Sequence, residues 1–162
     1  MEMPGRDALI TTKLGVQARG RRYVDRERLR EQLDAATEAR LVLVSAPAGF
    51  GKSTLLADWL GQPAVHGAWL SLDARDNDVA RFARYLAVAA ARLAGETADA
   101  AQFDAQSFDP ELALTSILDS LAAAGSGAVL VLDDYHAIDT GMQRRPPGRL
   151  SATPSRLSAC IA

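Results

Sequence analysis

Apolar residues fall in two registers along this chain, and the switch between them outlines the fold. Leu41-Val42-Leu43-Val44 and Ala128-Val129-Leu130-Val131-Leu132 are continuous apolar runs, as expected of strands buried on both faces of a parallel sheet. Gly67-Ala68-Trp69-Leu70-Ser71-Leu72 predicts a third strand. Between these runs the apolar spacing lengthens to a helical period. Leu55, Leu56, Trp59 and Leu60 make one stripe, halted by Gly61-Gln62-Pro63. Phe82, Tyr85, Leu86, Ala89, Ala90 and Leu93 make a second, ending near Gly95. Leu114, Ile117, Leu118 and Leu121 make a third, opened by Asp109-Pro110 and closed by Gly125-Ser126-Gly127. Upstream, Leu29 and Leu33 sit one turn apart in a charged amphipathic helix for which Asp25 is the expected N-cap. Strand, helix, strand, helix, helix, strand is the rhythm of an α/β domain with a mainly parallel sheet.

The pattern is less regular at both ends. Thr11-Thr12-Lys13-Leu14 and Arg19-Gly20-Arg21-Arg22 read as an extended basic arm, and residues 96–109 as a variable connection. After Asp139 there is no sustained period and no β-rich run, while Pro146, Pro147 and Pro154 interrupt the chain, so this tail is expected to be disordered. The expected organisation is an arm and helix over 1–40, a partial core over 41–139, and a tail over 140–162.

The first apolar strand runs into Ser45-Ala46-Pro47-Ala48-Gly49-Phe50-Gly51-Lys52-Ser53-Thr54, close to the phosphate-loop pattern G-x-x-x-x-G-K-S/T. Gly49 and Gly51 let successive N–H groups converge on phosphate oxygens, and the following helix offers its unpaired N-terminal amides to the same charge. Lys52 would reach the β- and γ-phosphates, and Ser53 would ligate magnesium. Ala46 stands where the pattern has its first glycine. The competing reading is a glycine-bearing turn that binds nothing.

The last apolar strand ends in Asp133-Asp134-Tyr135-His136. A carboxylate at the tip of a buried strand suits magnesium, so Asp133 would hold the metal's water shell and Asp134 would orient or deprotonate an attacking water. Alternatively, both aspartates solvate a strand end and start a turn. The same choice applies to Asp73-Ala74-Arg75-Asp76-Asn77-Asp78, where turn formation and helix capping explain the acids without a nucleotide. His136 is assigned no chemistry.

Composition narrows the function classes. A chain of 162 residues, 48% hydrophobic and of formal net charge −2, is long enough for one domain with a core, and its charge does not suggest nucleic-acid binding. No segment resembles a signal peptide or a membrane span, and Cys160 is the single cysteine, so a soluble cytoplasmic protein is the expectation.

Together these residues resemble the N-terminal part of the large MalT-like, LuxR-type regulators, signal-transduction ATPases with numerous domains. The resemblance rests on Thr12-Lys13-Leu14 ahead of Val24-x-Arg26-x-Arg28-Leu29, the phosphate loop, Trp69-Leu70-Ser71-Leu72-Asp73 with Asp76-Asn77-Asp78, Arg81-Phe82 with Tyr85-Leu86, and Leu130-Val131-Leu132-Asp133-Asp134-Tyr135-His136. It spans residues 11–139, and Ala46 is usual in that family. It implies an incomplete P-loop NTPase three-layer fold that lacks its later strands. It also implies binding of ATP and Mg2+ with weak or no hydrolysis, ATP-dependent self-association, and DNA recognition through a module outside this chain. By the same resemblance Arg26 would pack near the adenine on the 1–40 side. Ala48, Gly49, Phe50, Gly51, Lys52, Ser53 and Thr54 would cradle the phosphates, with Ser53 and Asp133 serving the metal and Asp134 the water.

In such ATPases the strand after the acidic one inserts between it and the phosphate-loop strand. The Pro-interrupted tail is a poor candidate for that place, because proline donates nothing to a central ladder. The expectation is therefore that the two apolar strands pair directly or leave a gap, and that the sequence past Asp139 reflects a premature end such as a frame shift. Two other functions remain open: a small free-standing P-loop phosphotransferase or hydrolase, for which Arg75, Arg81 and Arg84 are the candidate transition-state arginines, and an inert remnant.

Overall fold

The structure is a computed structural model that describes residues 11–16, 24–37, 39, 41–96, 109–138 and 158–161. The basic segment 19–22 and most of the expected connection and tail lie outside these residues. Four helices are present, α1 (Glu27–Ala36), α2 (Lys52–Leu60), α3 (Val79–Leu93) and α4 (Pro110–Ala123). Four strands accompany them, β1 (Leu41–Leu43), β2 (Gly67–Ser71), β3 (Val129–Asp133) and β4 (Ser158–Ile161), all parallel and in the order β1-β4-β3-β2.

Strand alternation divides the core into two layers. On one face Val42, Trp69, Val129 and Val131 pack with Leu33 of α1 and with Leu55, Leu56 and Trp59 of α2. On the other, Ala68, Leu70, Leu130 and Leu132 pack with Tyr85, Val88, Ala89 and Leu93 of α3. β3 is buried along its whole length, as its unbroken apolar run requires. Burying side chains such as Leu56 and Trp69, at 0% and 1% exposure, contributes about 1.5–3 kcal/mol each. At Gly67 a Cβ would fall 2.1 Å from Leu60 Cδ2 and 3.0 Å from the Val129 carbonyl oxygen, so α2 and β3 close onto bare backbone there.

Several expectations need correction. The place between β1 and β3 is filled by β4, with Leu41 opposite Ala159 and Leu130 also opposite Ala159. Pro146, Pro147 and Pro154 all precede this strand, so they take nothing from its ladder. Four residues are too few to show a period, which is why the run escaped notice. Thr11–Leu14 is not extended but forms a 3-10 turn, with Lys13 and Leu14 buried. Asp25 does not cap α1: Arg26 holds the N-cap position without a side-chain cap bond, and Asp25 instead pairs with Arg30 at 3.1 Å. In α4 the buried face is Ala113, Ile117 and Ser120, whereas Leu114 and Leu118 are exposed. α4 packs against α3 through Ile117 on Ala87 and Ala90, with Leu86 and Leu121 alongside.

The turn chemistry between β2 and α3 follows the capping reading. Asp73 and Asp76 form a capping box around a 3-10 turn, Ala74–Asn77, and Asp78 caps α3 through the Arg81 N–H at 2.7 Å. Asp109 likewise caps α4, accepting from Glu111 N–H at 2.9 Å.

Candidate phosphate and metal site

The C-terminal ends of β1 and β3 bring the two sequence motifs together. Gly49 and Gly51 adopt φ of 81° and 78°, in the left-handed region that glycine enters without steric cost. α2 then begins at Gly51 with no side-chain cap. Its first-turn N–H groups have no intrahelical acceptor and are oriented for an anion, with the positive end of the helix dipole behind them.

Two cations lie on the loop. Lys52 Nζ donates to the Ala46 carbonyl at 3.0 Å, and Arg26 Nη1 donates to the Phe50 carbonyl at 2.8 Å. The Arg26 guanidinium sits 3.5 Å from where a Gly51 Cβ would be, so α1 begins directly against the loop. Phe50 and Thr54 are exposed, as is Ala48.

Opposite them, Ser53 Oγ donates to Asp133 Oδ1 at 2.8 Å, a contact spanning eighty residues of sequence. Asp133 is 1% exposed, and its Oδ2 is buried with no hydrogen-bond partner. Burial is the main cause of a raised Asp133 pKa, and the neighbouring Asp134 adds to it, against the Ser53 hydrogen bond and the Lys52 charge. A buried carboxylate with an orphaned oxygen beside a serine hydroxyl fits magnesium. That ion takes one or two protein oxygens and fills its octahedron with water and phosphate. Among the described residues no group of three or more His, Cys, Asp or Glu converges as a denser metal site would require.

Asp134 has φ 57°, the one non-glycine residue with positive φ among those described. Its carboxylate is half exposed and comes no nearer than 3.9 Å to His136 Nδ1. The candidate transition-state arginines are placed elsewhere. Arg84 is buried, and Arg81 is directed to Asp76 at 3.2 Å and to the Tyr85 ring, so neither lies on a solvated helix face.

Because burial raises the Asp133 pKa, its ionised form costs stability. The folded state has the full stability of the protonated carboxyl below the unfolded value of about 4 and loses it as pH rises through the raised pKa. Asp133→Asn in metal-free buffer is therefore expected to melt above the parent chain at neutral pH, on the order of 2–4 °C higher. The advantage should shrink as pH falls toward about 4. A melting difference that ignores pH would contradict this cause.

A glycine-bent loop leading into an uncapped helix, with its serine bonded to a strand-tip aspartate on a parallel α/β sheet, is the architecture of a P-loop NTPase fold. The description "AAA ATPase domain" matches residues 19–156, and the chain belongs to that family. It is also 38% identical over 134 residues to the HTH-type transcriptional regulator MalT of Cronobacter sakazakii, covering 80% of this chain and 15% of the relative. The corresponding regulators of Klebsiella pneumoniae and Yersinia pestis are 38% and 39% identical, each over 135 residues. The chain spans 15% of the length of these relatives. Among the described residues, no helix is long and apolar enough to cross a membrane.

Sequence reasoning named the loop and acid residues but missed Lys13 and the contact of Arg26 with the Phe50 carbonyl. Lys13 carried one usable signal, the excess of carboxylates at Asp73 and Asp76 over local cations.

Proposed function

We propose that this chain is the ATP- and magnesium-binding switch module of a LuxR-type transcriptional regulator, at most a slow ATPase, acting on DNA through other parts of a longer protein. The observation that carries this reading is the Ser53–Asp133 contact with its orphaned Oδ2, since a phosphate loop and a metal acid meet there and nowhere else among the described residues. The names of the relatives supply the regulatory context.

Slow turnover follows from Asp134. A water-orienting base needs a fixed carboxylate, and this one is half exposed, with the His136 ring 3.9 Å away as its one ion-pair neighbour among the described residues. The filled sheet centre also removes the main structural argument for an inert remnant.

The test is equilibrium binding of ATP and ADP with and without Mg2+, on the parent chain and on Asp133→Asn. Magnesium should tighten ATP binding by the parent chain. That gain should vanish in the variant, while metal-free affinity stays within about twofold, because the loop contacts are untouched. Equal magnesium dependence in both proteins would remove Asp133 from the metal site, and absence of nucleotide binding by the parent chain would end the reading altogether.

A further inference from the structure

The acidic turn Asp73–Asp78 was set aside above as capping chemistry, yet its contacts extend beyond capping. Ser71 of β2 stands opposite Asp133 in the ladder, and Leu72 N–H donates to the Asp133 carbonyl at 2.9 Å. Five residues later, Asn77 Nδ2 donates to its own turn at Ala74 O, 2.8 Å away, and across to Ala137 O at 3.3 Å. Ala137 closes the 3-10 turn, Tyr135–Ala137, that follows the acid pair. The segment 133–137, including left-handed Asp134, is thus held at one end by the end of β2 and at the other by Asn77 of the turn that follows it.

That turn is itself locked from inside. Asp76 is 2% exposed and accepts from Asp73 N–H at 2.8 Å, from Arg81 Nε at 3.2 Å and from Lys13 Nζ. Lys13 also meets Asp73 at 3.0 Å and lies 4.8 Å from the Tyr85 ring centroid. Arg92 Nη1 donates to the Leu14 carbonyl at 2.9 Å, fixing the same N-terminal turn to α3. Helix capping needs none of these longer contacts.

We propose that Asn77 is a positioning residue for the metal acid: the Ala74–Asn77 turn, locked by Asp76 and Lys13, fixes the Tyr135–Ala137 turn through Ala137 and with it the backbone that leaves Asp133 at the strand tip. This rests on the nucleotide-and-metal reading of the site. The Asn77 bond to the Ala137 carbonyl lies on the acid strand's side of the site, so the expected loss is in the metal-linked part of affinity.

The experiment measures ATP affinity with and without Mg2+ for the full chain, for Asn77→Ala and for Asn77→Ser. The serine keeps a donor for the turn's own Ala74 carbonyl but is too short to bridge to Ala137. Both variants should lose about three- to tenfold of the magnesium-linked gain and keep metal-free affinity within about twofold. An undiminished gain in both variants overturns the proposal, and so does an equal loss with and without metal, which would mark Asn77 as structural only. Parent chain that binds ATP but shows no magnesium gain overturns the metal reading and this proposal with it. Parent chain that binds no ATP overturns the site as a whole.

Discussion

Asp76→Ala is expected to be the most destabilising single change at the edge of this sheet, lowering the free energy of unfolding by about 3–5 kcal/mol. The carboxylate is fully buried and serves two cations, the Lys13 and Arg81 side chains, themselves 9% and 11% exposed. Its removal takes from Arg81 Nε its carboxylate acceptor and leaves Lys13, among the described residues, with the half-exposed Asp73 for a counter-charge. The Lys13 hydrogen bond is the main cause of a lowered Asp73 pKa. Asp73 thus contributes stability above the ordinary carboxylate range and loses it as pH falls through its depressed value, but solvent screening keeps that contribution small. Urea unfolding of the purified variant measures the loss. A change under about 1 kcal/mol would place the network in the class of weak surface pairs.

The second large effect belongs to Lys52. Its ammonium now rests on the Ala46 carbonyl, within the mouth of the loop, and phosphate would replace a neutral acceptor with a charged one. Lys52→Ala should therefore weaken ATP binding by about ten- to hundredfold, corresponding to roughly 1.5–3 kcal/mol, and should do so whether or not magnesium is present. Equilibrium titration with a fluorescent nucleotide reads this directly. Unchanged affinity would mean that the loop does not hold the phosphates through its lysine. The contrast with Asp133→Asn, whose loss depends on the metal, separates the two halves of the site.

The legible parts of this protein were those written in long or chemically specific patterns. The unbroken apolar run of β3 announced a central strand, the Phe82–Leu93 period announced α3, and Gly49, Gly51 and Ser53 announced a glycine-bent turn into a helix, which the fold brings against Asp133. What stayed hidden depended on partners distant in sequence. Lys13 looks like a solvated charge until Asp76, from the other end of β2, is placed against it. Arg26 was linked to the nucleotide only through family resemblance, whereas its carbonyl contact at Phe50 is a matter of how α1 lies on the loop. Leu114 and Leu118 share a helical stripe with Ile117, but which of them is covered depends on how α4 is rotated against α3, since the buried side runs through Ala113, Ile117 and Ser120. Ser158–Ile161 is simply too short to read. Its identity as a strand comes from the gap it fills between two neighbours already in place.

The position of β4 also governs how the chain assembles. Strands β1 and β3 share no ladder; each pairs with β4, and Leu41 meets Ala159 from across 118 of the 162 residues. Closing so long a loop carries an entropic cost before any ladder bond repays it, and such non-local contacts slow folding. During synthesis the phosphate loop and the acid strand therefore emerge well before the element that joins them. The ends of β1 and β3 that carry the loop and the acid are joined through the sheet only once residues 158–161 are in place.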